Sequence, residues 1–115
     1  DRRIIAVFQP HLFSRTKSFY KEFAAAFMDS DVLIVTDIYP AREKPIKGVT
    51  GKLVFNAARS TGHKNAHYIP DLENLQVALD DIIQENDMVI TIGAGTIWRY
   101  GQSYFDHLIS QEAAA

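Results

Sequence analysis

Three nearly unbroken apolar runs cross the chain, at residues 4–8, 32–35 and 88–92, with a shorter mixed run at 66–69. Runs without polar alternation predict strands covered on both faces, as in a parallel sheet. Between them, apolar residues recur at helical spacing: Phe19, Phe23 and Phe27, then Leu72, Leu75, Leu79, Ile82 and Ile83, then Trp98, Tyr104, Phe105 and Leu108. Leu53, Phe55, Ala57 and Ala58 give a rougher face. The pattern predicts strands at 3–8, 32–36, 66–69 and 87–92. It predicts helices at 14–28, 52–60, from residue 71 onward and at 97–108. Strand, helix and strand within about thirty residues predict right-handed parallel crossovers, so the fold class is α/β with a mostly parallel sheet.

The breaks agree with that order. Pro10 has no N–H for a ladder and pushes Gln9 toward extended geometry, so the first strand ends there. Ser14 is the expected N-cap of the first helix and Asp71 of the third. Residues 29–31 form a polar break. Residues 37–51 carry Pro40, Pro45, Gly48 and Gly51 and predict a long loop, while Gly62 closes the second helix and Pro70 the third strand.

In an open parallel sheet, ligands collect beyond the carboxyl ends of the strands, where a helix N-terminus offers unpaired N–H groups to an anion. His11, Arg15 and Lys17 follow the first strand, and a guanidinium can hold a carboxylate or phosphate by two parallel bonds. On spacing alone the stretch is either an anion pocket or a loop tied by His11 with solvated basic neighbours. Asp37, Arg42, Glu43 and Lys44 follow the second strand, facing a ligand or a neighbouring domain, or solvent. Gly93-Ala94-Gly95 follows the last strand and is either an anion loop or a tight turn; it lacks the third glycine of a dinucleotide fingerprint and the Lys of a P-loop. Both glycine and histidine loops are expected on one edge of the sheet. His63 and His67 straddle a turn and share no helical face, so they are expected as satisfied or exposed histidines and no metal site is expected. Asp80, Asp81 and Glu85 are expected on a solvated face.

Length and composition narrow the classes. The chain has 115 residues, which suits one domain, and Lys+Arg 12 nearly balance Asp+Glu 14. No basic stripe points to nucleic acid, and no apolar run points to a membrane span. There is no cysteine, which excludes disulfides, thiolate metal sites and thiol catalysis and fits the cytosol. The opening directly into a core strand suggests a segment of a longer protein, and residues 111–115 are expected as a tail distinct from a domain over 1–110.

Phe8-Gln9-Pro10-His11 with Ser14-Arg15-Thr16 resembles the QPH-x-x-[ST]-R-T motif in the C-terminal domain of the Mur ligases, in the branch that adds L-alanine to UDP-N-acetylmuramate. The likeness continues through residues 36–43 and ends in residues 91–97, so three ordered blocks span nearly the whole chain. Leu12 stands where many members carry arginine, and Thr96 where many carry aspartate. The resemblance implies a Rossmann-like three-layer domain that lacks its first segment, including a D-Y-x-H-H-P motif. It also implies a cytoplasmic, ATP-dependent amide ligase of peptidoglycan precursor synthesis, using ATP and magnesium. Its N-terminal and central domains would be the partners of this one, and L-alanine and UDP-N-acetylmuramate its substrates. His11, Arg15 and Thr16 would lie at the amino-acid carboxylate, with Asp37, Tyr39, Arg42, Gly93 and Gly95 as loop contacts. The chain alone would be catalytically silent and hold no cofactor tightly. The alternatives are a related Mur or peptide-recycling ligase domain and a non-catalytic anion-binding α/β module.

Overall fold

The computed structural model describes residues 2–114. β1 (Ile4–Phe8) leads into α1 (Phe13–Ala26), then β2 (Val32–Val35), α2 (Lys52–Ser60) and β3 (Ala66–Tyr68). A 3-10 turn, Leu72–Asn74, runs into α3 (Leu75–Ile82), followed by β4 (Met88–Ile92) and α4 (Ile97–Ala114). The four strands lie in the order β3-β2-β1-β4, and every pairing is parallel. The expected α/β class therefore holds, with helices on both faces.

Strand alternation divides the core in two. Ile5, Val7, Val32 and Ile34 face α3 and α4, where Leu75, Leu79, Ile97 and Tyr104 are buried. Ala6, Phe8, Leu33 and Val35 face α1 and α2, meeting Ala24, Val54 and Ala58. Each fully buried aliphatic side chain contributes about 1.5–3 kcal/mol, so these two layers dominate the stability of the sheet. Phe23 and Phe27 complete the second layer, their ring centroids 5.3 and 4.8 Å from Phe8. Phe19, expected with them, is half exposed.

Several expectations need correcting. Ser14 is not the cap of α1: the cap position is Leu12, whose apolar side chain makes no capping hydrogen bond. Asp71 does cap, with its Oδ1 accepting from Glu73 N at 3.0 Å, but what it caps is the 3-10 turn ahead of α3. Asp80 is exposed yet engaged, accepting from Tyr104 Oη at 2.9 Å and lying 3.2 Å from His107 Nε2. On α4, Tyr104 is buried, but Trp98 and Phe105 are exposed instead of packing on the sheet. β4, expected to be covered on both faces, is an edge strand with Met88 and Ile90 each 40% exposed. Residues 111–114, expected as a tail, are helical as the end of α4, and residue 115, like residue 1, lies outside the described residues.

The lower end of the sheet is closed by Arg3. Its Nε and Nη2 reach both carboxylate oxygens of Asp87 at 3.1 and 2.7 Å, and Nη2 also donates to Ile82 O. Asp87 accepts from Gln84 N as well, and its carboxyl is held below the usual range chiefly by the Arg3 guanidinium.

Candidate functional site

β1 is followed by β2 on one side, and the chain returns from β3 to place β4 on the other. The strand order thus reverses between β1 and β4, and the crevice at such a reversal is where open α/β sheets take ligands. Gln9 N donates to Ile92 O at 2.9 Å, which seats the loop after β1 against the loop after β4. The two loops expected on one edge are on one edge.

The loop after β2 joins them. Tyr39 N donates to Pro10 O at 2.8 Å and Leu12 N to Tyr39 O at 3.0 Å, so His11 and Tyr39 form a parallel bridge. Their rings stack, with centroids 6.0 Å apart and planes 20° apart. Gly95 also lies against Tyr39: a Cβ there would stand 2.4 Å from Tyr39 Cγ. The Tyr39 ring thus meets both a histidine and a bare backbone, and three strand ends come together at it. Gly93 is tight for a similar reason, since its Cβ would stand 2.8 Å from Ile97 and 3.1 Å from Gln9.

Glu43 completes the cluster. A turn closed by Glu43 N on Pro40 O at 2.9 Å brings its carboxylate to the first turn of α1, where Oε1 accepts from Ser14 N at 3.0 Å and Oε2 from the Ser14 hydroxyl. These bonds, the hydroxyl's foremost, hold the Glu43 carboxyl below the usual carboxylate range. The partial positive charge at the start of α1 is thus met by the protein's own carboxylate. Residue patterning missed this contact because Ser14 alone satisfies the rule for a cap.

The two facing loops also carry strain. Leu12 has φ 69° and Ala41 φ 54°, both in the left-handed region that favours glycine. Such residues cost on the order of 1–3 kcal/mol and persist where the surroundings impose them, often at binding sites. At Leu12 the imposing contacts are the bond to Tyr39 O and the Thr16 side chain, whose hydroxyl donates to Leu12 O at 2.8 Å. Thr16 is fully buried, so it shapes the turn from beneath.

The other expected residues sort into anchors and open groups. Asp37 is an anchor, its Oδ1 accepting from Ile38 N at 3.0 Å and from Gly51 N at 3.1 Å, which pins the start of α2 to the end of β2. Arg15 and Arg42 are exposed and in no salt bridge among the described residues. Gln9 is buried, and its Oε1 has no hydrogen-bond partner, leaving an acceptor unused at the strand-order reversal. His63 and His67 lie elsewhere, bonded to Ser30 and Asn65 and to Asn65 respectively, with burial lowering the His67 pKa. A hollow of about 470 Å³ lies between α3, α4 and β4 and is not lined by His11, Arg15 or Tyr39. Arg15 stands in the first turn of α1 and Arg42 in the loop after β2.

The all-parallel sheet, the reversal of its strand order and the helices on both faces define a doubly wound α/β domain. The chain belongs to the Mur ligase family: the family described as "Mur ligase, glutamate ligase domain" matches residues 1–95. It is 44% identical over 108 residues to a UDP-N-acetylmuramate-L-alanine ligase of Salinibacter ruber, covering 94% of this chain and 23% of that protein. It is 43% identical over 108 residues to the ligase of that name from Syntrophotalea carbinolica, with 94% and 24% covered. The relative in Pelobacter propionicus, of the same name, is 46% identical over 103 residues, with 90% and 22% covered. The chain spans about a quarter of the length of the curated relatives it matches.

Proposed function

We propose that the chain is the amino-acid-side domain of a longer cytoplasmic ligase that joins L-alanine to UDP-N-acetylmuramate at the expense of ATP. One observation carries the reading: Arg15 is exposed in the first turn of α1, directly after the loop whose His11 stacks on Tyr39, in a chain 44% identical to a relative bearing that ligase name. Arg15 receives the carboxylate of the incoming amino acid by two parallel N–H···O bonds. His11, its ring oriented by Tyr39, lines the same edge, and Thr16 and Asp37 hold the loops in place without contacting the ligand. Arg42 and the Gly93–Gly95 turn face the neighbouring domains. Fixing the amine nucleophile in this way is a contribution of position, and closure against the other domains excludes water.

Bound ATP with magnesium would supply the activation of the muramate carboxyl. The residues of this chain do not fit that group. Among the described residues no three His, Asp or Glu side chains gather into a metal site, and the Gly93–Gly95 turn is packed by Gln9, Ile97 and Tyr39. The nucleotide belongs to the other domains of the full-length enzyme, and this chain alone is a silent wall of a composite site.

Calorimetry on the full-length enzyme tests the reading. Arg15→Ala weakens L-alanine binding about tenfold or more, the scale of a lost charge-assisted hydrogen bond, and leaves ATP binding unchanged. Equal weakening of both ligands, or of neither, counts against the assignment.

A further inference from the structure

The charges of the helices are sorted by layer. α1 and α2, on one face of the sheet, carry Arg15, Lys17, Lys21, Lys52 and Arg59 against the lone carboxylate of Glu22. The 3-10 turn, α3 and α4, on the other face, carry Glu73, Asp80, Asp81, Asp106 and Glu112 against the lone guanidinium of Arg99. All of these side chains are exposed, and of them only Asp80 is in a salt bridge among the described residues. Neither layer cancels its own charge, so the domain presents a positive face and a negative face on either side of an apolar sheet.

Each face also has an apolar feature. Between α1 and α2 lies a hollow of about 330 Å³ lined by Tyr20, Lys21, Leu53, Asn56 and Ala57. The Lys21 ammonium is 5.9 Å from the centroid of the Tyr20 ring, which puts positive charge at the hollow itself, and Lys52 directly precedes Leu53. On the opposite layer, Glu73, Val77 and Asp81 follow at four-residue spacing and share one row of the exposed helix surface. Val77 is 65% exposed. A single exposed valine is ordinary, but this one stands between two carboxylates, as an apolar knob in an acidic row.

We infer that the α1–α2 face is a docking surface for the α3 face of a second copy of the same polypeptide, with Val77 entering the hollow and Glu73 and Asp81 meeting Lys21 and Lys52. A phosphate-bearing polymer or surface would answer the positive charge and leave the apolar hollow unfilled, whereas the α3 row answers both. The two surfaces lie on opposite faces of one domain, so the contact is heterologous. It cannot satisfy itself within a pair, and each copy added leaves one positive and one negative face open. Exposed ion pairs contribute little each and are screened by salt, so the contact belongs to the weak, salt-sensitive class. The inference is independent of the ligase reading, since it uses only charge, exposure and the placement of the helices.

Analytical ultracentrifugation of the full-length polypeptide tests it. At low salt and about 100 μM, where contacts of micromolar Kd are filled, the weight-average mass rises past that of a dimer. In roughly 0.5 M salt it falls back toward the monomer. A variant with Lys21→Glu and Lys52→Glu, and another with Glu73→Lys and Asp81→Lys, each associate at least about tenfold more weakly, because like charges then face each other. Mixing the two variants restores association, since the facing charges are opposite again, and the recovery shows that both are folded. Val77→Asp weakens association to a similar degree by placing a charge where the hollow takes an apolar group. A polypeptide that is monomeric at this concentration and low salt, a species that stops at the dimer, or a mixture of the two charge variants that fails to recover, overturns the inference.

Discussion

Glu43 reaches Ser14 across 29 residues of sequence and makes the contact through both carboxylate oxygens. Because these bonds favour the charged form, its folded pKa lies below the ordinary value of 4.5. A depressed carboxyl contributes stability that is present above the unfolded pKa and is lost as pH falls through the folded one. Glu43→Gln is therefore expected to flatten the fall in urea midpoint between about pH 6 and about pH 3, leaving the share due to Asp87. An unchanged slope would show that the carboxylate is not held in solution. Gly95→Ala forces a methyl into the Tyr39 ring, and a clash of that kind costs about 1–3 kcal/mol in unfolding experiments. On the function proposed above, its informative readout is L-alanine affinity in the full-length enzyme, which is expected to fall as the ring leaves His11. That the loops bearing His11, Tyr39 and Gly95 meet was legible because these residues sit in motif blocks at strand ends. The Glu43 clamp was not, since a local rule assigned Ser14 to its own helix and nothing in the spacing says that the loop after β2 folds back on it.

At the scale of elements, α3 and α4 are joined across the sheet face by a polar contact in an otherwise apolar layer. Tyr104 donates to Asp80, and burial together with that carboxylate pushes the phenol well above its ordinary pKa. Tyr104→Phe keeps the ring and removes the bond, so a loss of about 1 kcal/mol is expected by denaturant unfolding. A much larger loss would mean that Asp80 cannot rehydrate when left alone. All four strands and four helices could be placed from periodicity, because unbroken apolar runs and helical spacing are properties of neighbours in sequence. Which strand forms the edge could not be read that way. The run Met88–Ile92 reports that both faces want cover, and it says the same whether the cover comes from this segment or from another. Trp98 and Phe105 misled for the same reason: their spacing on α4 marks an apolar face without marking its partner.

Across the whole molecule, the position of the site follows from strand order. β1 is central, it ends in the His11 loop, and its neighbours on either side bring Tyr39 and Gly95 to that loop. One strand thus anchors both the core and the binding edge. Ile4 pairs with Met88, yet it leaves the ribosome long before Met88 is made. At about 5–20 residues per second that interval is on the order of ten seconds, far longer than the microseconds in which a local helix forms. During it β1 has β2 to pair with on one side, while β4, its partner on the other, is not yet made. The centre of the finished sheet spends its first moments with one side waiting for its partner, so the growing chain depends on its surroundings most at the strand that later lies in the middle of its core.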